Sequence, residues 1–547
     1  MKNCIAFAVL FFLLCKVGRS QVVPLGTPLL DESWRLKQVR GEADTNVSFT
    51  IRPLSLSALS RQASSTKQDE LSFTTPLLNI SGNRQFLLLP LTVKQQYNTH
   101  HPFGRNDGAM IQAKGYQSLV SAGFFAQAGH FSLQVQPEFV FAQNSAFPGF
   151  PAQFSDSLWA SYYSLYSNII DAPERFGSRA YRKFFPGQSS LRFQLKKFSL
   201  GISTENLWWG PGVRNALIMS NNAPGFPHLT FNTTEPLQLP FGTLEGQLVS
   251  GLLQQSGYLL PDTNRRLNGK PIYQQKPGGD RYLNGMVLSL QPKWTKGLFL
   301  GLSRVFYVNR SNMRSSFNGY LPVIGQVFKG SVADAVNEDS LGRDQLFSIF
   351  FRLLLPKEKA EVYAEFGRND HAGNSRDLVM EPEHSSAFTI GLRKLFPTRK
   401  NGDLELTFEL TNLQLPTTQL VREQQSWYTH NRARDGYTQL GQIIGAGIGP
   451  GGNSQSLGLK WINGLRQTGI QLERVVHNND FYYSAFASTG EYWRHWVDIS
   501  IQLNKSWRQN HFLYDARLAW VNSINYQWER DNDGKNIHAA LSVSYVF

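Results

Sequence analysis

Short segments in which apolar and polar residues strictly alternate recur along most of this chain, and they constrain its fold more than any other feature. Leu404, Leu406, Phe408 and Leu410 alternate with Glu405, Thr407, Glu409 and Thr411. Val497, Ile499, Ile501 and Leu503 alternate with Asp498, Ser500 and Gln502, and Leu191, Phe193 and Leu195 with Arg192, Gln194 and Lys196. A period of two is the pattern of a β-strand with unlike faces. No long amphipathic helix is legible beyond residue 125 or so. The same pattern fits a soluble sandwich and a membrane barrel. In the barrel the apolar face meets lipid and the polar face lines the lumen.

Three features favour the barrel. Aromatic residues make up 13% of the chain. Several, among them Trp493, Trp496, Trp507, Trp520 and Trp528, lie near segment ends, where interfacial girdles form. Long polar loops such as Asn309 to Gln345 alternate with short turns such as Pro397 to Asp403. The chain ends on Leu541, Val543, Tyr545 and Phe547, an alternating strand with a terminal aromatic. Tyr545 and Phe547 are therefore the expected insertion signal, read by the barrel-assembly machinery. The expected fold class is all-β: a transmembrane antiparallel β-barrel of about 16–18 strands, at roughly 25 residues per strand with its share of loop.

The first residues point to export. Lys2 precedes an apolar run, Ile5 to Leu14, that is too short to span a bilayer, and Gly18-Arg19-Ser20 provides small residues for cleavage before Gln21. Cys4 and Cys15 are the only cysteines, and both fall within this expected signal peptide. A disulfide-stapled scaffold is thereby excluded. The expected organisation is a signal peptide over 1–20, a small N-terminal periplasmic segment over 21–85 and a barrel over 86–547. Within that segment Leu29, Trp34, Leu36 and Val39 have near-helical spacing, with Asp31 and Glu32 in the first turn. A second short helix is expected across 55–65, and Val47 to Arg52 reads as a strand.

The net charge is +14, and it stays strongly basic without Lys2, Lys16 and Arg19. Such a balance calls for anionic partners. Export argues against nucleic acid and for outer-membrane lipid, lipopolysaccharide or an acidic polysaccharide. The Asn-x-Ser/Thr site at Asn79 reads as a chance match.

The most specific stretch runs from Glu205 to Phe226, ENLWWGPGVRNALIMSNNAPGF. Trp208-Trp209-Gly210-Pro211-Gly212 followed by Ser220-Asn221-Asn222-Ala223-Pro224 resembles the Wzi family of capsule-assembly outer-membrane proteins. Pro102 to Ala109 (PFGRNDGA), Pro137 to Asn144 (PEFVFAQN), Tyr363 to Phe366 and the loop Gly441 to Asn453 agree in order, so the resemblance runs from about residue 85 to the C-terminus. It implies a barrel of 18 strands acting as a lectin that holds capsular polysaccharide at the cell surface. The N-terminus departs from the pattern. Known members carry a periplasmic helical bundle, and only two short helices are legible before Phe86.

Physically, the two indoles suit a sugar site, because indole faces stack on the C–H face of a pyranose and Gly210-Pro211-Gly212 forces a tight turn. The same residues equally suit a lumen plug, with Asn221 and Asn222 satisfying the backbone of turns. Arg432 and Arg434 are basic loop residues placed to meet acidic sugars. The carboxylate pairs Glu361/Glu365 and Glu405/Glu409 have the residue types of a glycosidase, but a polar lumen also needs them, with Arg352, Arg368 and Arg393 available as partners. His100-His101 and Glu383-His384 lack metal-ligand spacing, and Gly445 to Gly452 lacks the Lys-Ser/Thr of a phosphate loop and reads as a flexible loop. No metal, cofactor or catalytic residue is expected. Retention of surface polysaccharide leads, a porin or transport barrel stands as the alternative, and an outer-membrane glycosidase comes last.

Overall fold

The computed structural model describes residues 22–23, 25, 28–55, 58–59, 75–80, 84–324, 342–369, 375–399, 402–418, 420 and 423–547. The segment expected as a signal peptide lies outside these residues, as does most of the second helix expected across 55–65.

The alternating segments form one closed antiparallel wall. In chain order its strands are β1 (Arg84–Asn98), β2 (Gly115–Ala128), β3 (Phe131–Val135 and Glu138–Ala142) and β4 (Tyr181–Phe185 and Ser190–Leu195). There follow β5 (Phe198–Ser203), β6 (His228–Thr233 and Leu237–Leu239), β7 (Gly242–Leu253), β8 (Arg281–Pro292) and β9 (Leu298–Asn309). Next come β10 (Asp344–Leu355), β11 (Ala360–Asn369), β12 (Ser386–Pro397), β13 (Asp403–Asn412) and β14 (Asn453–Asn463). The wall ends with β15 (Arg466–Val476), β16 (Val497–Gln509), β17 (Phe512–Ile524) and β18 (Gly534–Tyr545). Three strands are each interrupted once, and an extra segment, Thr75–Ile80, pairs beside the start of β1, so the barrel has 18 strands. The upper end of the range expected from sequence is the observed one. β18 closes the barrel against β1, with Tyr545 opposite Leu91 and His538 opposite Asn98. Closure leaves almost no unpaired edge for lipid to meet.

Which face meets lipid is read from burial. Leu191 and Leu195 are exposed while Arg192 and Gln194 between them are buried, and Ile499, Ile501 and Leu503 are exposed while Asp498 and Ser500 are buried. Apolar outside and polar inside is the inverse of a soluble core. The loops sort by end. Tight turns such as 129–130, 464–465 and 510–511 close one end, and the long connections lie at the other.

The lumen is filled. At the turn end sits helix α1 (Pro28–Arg40), the helix expected from residues 28–39. Arg35 on its inner face meets Glu361 at 2.9 Å, and Arg40 meets Asp403 at 2.5 Å. Glu32 meets Lys460 at 2.8 Å. Leu36 and Val39 pack on Leu354, Leu395 and Ile462. After α1 only Ile51–Arg52 of the expected Val47–Arg52 strand is regular. The central core is built inside the barrel from Trp209, Leu217, Ile218, Tyr307, Trp427 and Tyr428 among others.

Candidate functional site

β5 stops at Ser203 and β6 starts at His228. The chain between them, which holds the most specific motif of the sequence, turns inward and crosses the lumen. Trp208–Trp209 pairs with Ile51–Arg52. The Trp209 backbone N–H donates to Met219 O at 3.0 Å, and Gly210 N–H to Thr50 O at 2.8 Å.

Two carboxylates hold this segment in place. Glu409 accepts the backbone N–H groups of Val213 (2.7 Å) and Asn215 (2.8 Å) and the Tyr363 hydroxyl (2.7 Å). Glu365 accepts Leu217 N–H at 3.2 Å and the Ser348 hydroxyl at 2.8 Å. Gly210 has φ +118, and a Cβ there would lie 2.7 Å from Glu365 Oε2. The glycine is thus required twice, for its backbone and for its space.

The carboxylates of the pairs Glu361/Glu365 and Glu405/Glu409 therefore divide into two kinds. Glu361 pairs with Arg35, Arg352 and Arg393, and Glu405 with Arg393 and Lys460. Glu365 and Glu409 anchor backbone instead. Arg352 and Arg393 are the partners expected from the sequence. Arg35, from the helix, is an addition that strand periodicity does not reveal.

Trp209 is fully buried. Its ring lies over Gly285, where a Cβ would come within 2.9 Å, and its Nε1–H donates to Gln247 Oε1 at 2.9 Å. Trp208 is also buried, against Leu25 and Ala216, with the Arg52 guanidinium 4.3 Å over its ring. Asn221 Nδ2 donates to Asn106 O at 2.8 Å, and Asn222 Nδ2 to Ile443 O at 3.0 Å. These two side chains tie the motif to the loops 103–108 and 441–450. The glycine-rich 445–452 stretch, expected to be a flexible loop, is packed inside the barrel, with Ala446 fully buried. Arg432 is exposed on the long-loop rim, and Arg434 donates to Gln274 Oε1 at 3.0 Å. Neither arginine lines a cavity with the tryptophans.

Among the described residues the lumen holds two cavities that both border Phe103, Gly104 and Arg105. The lower, of about 330 Å³, lies between α1 and that loop and is lined by charged pairs. Arg105 and Arg214 meet Glu473 there at 2.5 and 2.9 Å, and Arg517 meets Asp515 at 2.9 Å. Asn106 Nδ2 donates to Arg214 O at 2.6 Å and closes the upper side.

The upper cavity, of about 260 Å³, lies among the long loops and is lined by Tyr162, Tyr166, Trp496, Tyr526 and Trp528. Tyr166 and Trp496 are half-buried, and the other three rings pack behind them. Trp496 stacks on His477 at 4.0 Å and meets Tyr526 and Trp528 edge-on at 5.1 and 5.2 Å. Asp498 accepts His477 Nε2 (2.8 Å), Trp496 Nε1 (3.1 Å) and the Ser523 hydroxyl (2.6 Å). Asn525, Gln527 and Trp528 all have positive φ, a costly turn for such residues that brings Tyr526 and Trp528 inward. Burial pushes His101 down to about 4, so its imidazole is neutral near pH 7, and burial raises Glu174. Aromatic faces beside hydrogen-bonding side chains are what a sugar residue needs.

The sequence reading misses this chamber as a unit. Trp496 and Trp528 were expected in an interfacial girdle, and they face the chamber instead. Trp520 and Trp493 are exposed on the outside. The chamber draws on loops far apart in sequence, so no local pattern marks it. Among the described residues no group of three or more His, Cys, Asp or Glu side chains is arranged to hold a metal ion.

Residues 90–534 match the family model described as capsule assembly protein Wzi. A solved structure described as Wzi, an outer-membrane protein involved in group 1 capsule assembly in Escherichia coli and a carbohydrate-binding β-barrel, is 15% identical. It aligns over 96% of this chain and 100% of its own, with a TM-score of 0.62. OccAB3 of Acinetobacter baumannii is 11% identical over 85% of this chain and 99% of its own, with a TM-score of 0.40. No curated protein matches by sequence.

Proposed function

The chain belongs to the Wzi capsule-assembly family, and on that premise we propose that it binds capsular or exopolysaccharide and retains it at the cell surface. It is an outer-membrane β-barrel, with its long loops outward and its turns and α1 toward the periplasm. The observation that carries the reading is the upper chamber: an aromatic-lined pocket at the outer end of a barrel whose lumen is crossed by the 204–227 segment. About 260 Å³ is near the lower bound of small-ligand pockets, roughly 300 Å³. It suits a sugar residue at a chain end or on a branch, with the rest of the polymer lying across the loops.

Acidic sugars are favoured as ligands. The chain is strongly basic, and Arg432 and Arg434 stand on the same rim as the chamber mouth, where they raise the local concentration of a polyanion. Trp208 and Trp209 support the site from below by fixing the segment that carries Asn222 into the chamber wall. The carboxylate pairs are engaged in ion pairs or with backbone N–H groups, which favours binding over glycoside hydrolysis. The inward 204–227 segment and α1, which obstruct the lumen, likewise favour binding over the porin alternative.

Deletion of the gene with complementation tests the reading. Surface polysaccharide is expected to shift from the cell-associated fraction to the medium, with total synthesis unchanged. A deletion strain that keeps its polysaccharide attached would refute it.

A further inference from the structure

We propose that the outer half of β4 is a docking site for a phosphorylated glycolipid of the outer leaflet. The wall is incomplete there. Ser190 of β4 pairs with Ser203 at the end of β5, and beyond this point β5 turns into the lumen. The outer segment Tyr181–Phe185 therefore pairs with β3 along one edge only, and among the described residues no strand covers its other edge. A bare edge facing hydrocarbon leaves backbone N–H and C=O groups unsatisfied, each at a cost of several kcal/mol. At headgroup depth the same groups find phosphate and sugar hydroxyls.

The residues around this edge place it at that depth. Tyr116, Phe141 and Arg182 are each one residue from the loop end of their strands. The Arg182 guanidinium lies 5.7 Å over the Phe141 ring, and Phe141 packs on Tyr116 at 6.4 Å. Phe139 and Phe184 are exposed just below. An outward belt of aromatics with a cation among them is the pattern of the membrane–water boundary.

Charge identifies the ligand. Arg179 and Arg182 are exposed beside the open edge, and among the described residues neither has a carboxylate partner, whereas Lys183 alternates to the inward face opposite buried Val140. Elsewhere in the wall the cations Arg352, Arg393, Lys460 and Arg517 point inward and are paired. Arg179 is also held in position. Asn144 Nδ2 lies within hydrogen-bond distance of the carbonyls of Phe176, Gly177 and Arg179 (2.9, 3.0 and 2.9 Å), and Arg175 donates back to Asn144 O at 2.7 Å. The cations thus stand on a strand and a clamped loop, ready for a divalent or bis-phosphorylated headgroup.

Native mass spectrometry of the purified barrel in detergent, titrated with bis-phosphorylated lipid A and with its dephosphorylated form, tests the site. The protein is expected to retain the phosphorylated lipid at least about tenfold more tightly. Replacing Arg179 and Arg182 with Gln together is expected to weaken it roughly twenty-fivefold, at about fivefold per cation. Arg182→Gln alone, on an exposed face, provides the fivefold step if the double variant folds poorly. Heat-modifiable electrophoretic mobility reports folding. Equal retention of both lipids, or unchanged retention by a folded Arg182→Gln variant, would overturn the proposal. The site lies outside the lumen, so these variants keep their binding of soluble surface polysaccharide, which separates this inference from the proposed function.

Discussion

Arg35 Nε on the lumenal helix lies 2.9 Å from Oε1 of Glu361 on β11, and both side chains are buried. The pair fastens α1 to the barrel wall, and Glu361 also meets Arg352 at 2.6 Å and Arg393 at 3.6 Å. Burial of these charges is tolerated because each has a partner. Removing one partner leaves the others stranded.

Glu361→Gln is therefore expected to destabilise the barrel by about 3–5 kcal/mol and to free the N-terminal segment. Urea unfolding in detergent measures the first effect, and limited proteolysis near residue 40 the second. An unchanged unfolding midpoint would show that α1 is held by its apolar contacts and its ion pairs to Asp403 and Lys460.

Glu409 fixes the inward segment by accepting the backbone N–H groups of Val213, Arg214 and Asn215, so Glu409→Ala is expected to loosen residues 213–215 against the strand. Each lost hydrogen bond to a charged acceptor is worth about 1.5–3 kcal/mol. Planar-bilayer recordings would report the loosening as ion conductance, expected to be small in the wild type and raised in the variant.

Trp209 is a packing residue in this structure. Trp209→Ala is expected to cost about 3–5 kcal/mol, as for other large cavities, with Gln247 left without its donor. Binding by the fraction that remains folded should persist. Selective loss of binding at full stability would assign the indole to the ligand instead.

Burial pushes Asp480, in the outer loop helix Asn479–Ala485, up to about 6. Between its ordinary value of 3.8 and about 6 the unfolded chain gives up this proton while the folded chain keeps it. Its contribution to stability therefore falls as pH rises through that window and is level above it. His101 works in the other direction, since its lowered pKa removes stability as pH falls from 6.5 toward about 4. Asp480→Asn can keep the contacts to Ser426 and Leu415. It is expected to gain on the wild type by up to about 3 kcal/mol between pH 4 and pH 7, read from urea midpoints at both values. A difference independent of pH would rule out the shifted carboxyl.

How much of this was legible in the sequence follows from the range of each interaction. Strand alternation is local, so Leu191 to Leu195 and Val497 to Leu503 reveal both wall and orientation without any knowledge of partners. Arg352 and Arg393 could be matched with carboxylates because neighbouring strands must bring lumenal charges together. The upper chamber needs Tyr166, His101 and Trp496 to meet, and only closure of the barrel makes them neighbours. The fate of Trp209 turned on Gly285, a glycine in a strand of ordinary appearance. Trp496 and Trp528 looked like girdle residues because position near a strand end does not say which way a loop folds.

Equilibrium binding of the host's purified surface polysaccharide to the detergent-solubilised barrel tests the central claim most directly, with Tyr166→Ala and Trp496→Ala compared against the wild type. Each ring is expected to be worth about 0.5–1.5 kcal/mol, so the double variant should bind at least about fivefold more weakly while unfolding at nearly the wild-type urea concentration. Wild-type affinity in the folded double variant would contradict the assignment of the chamber as the glycan site.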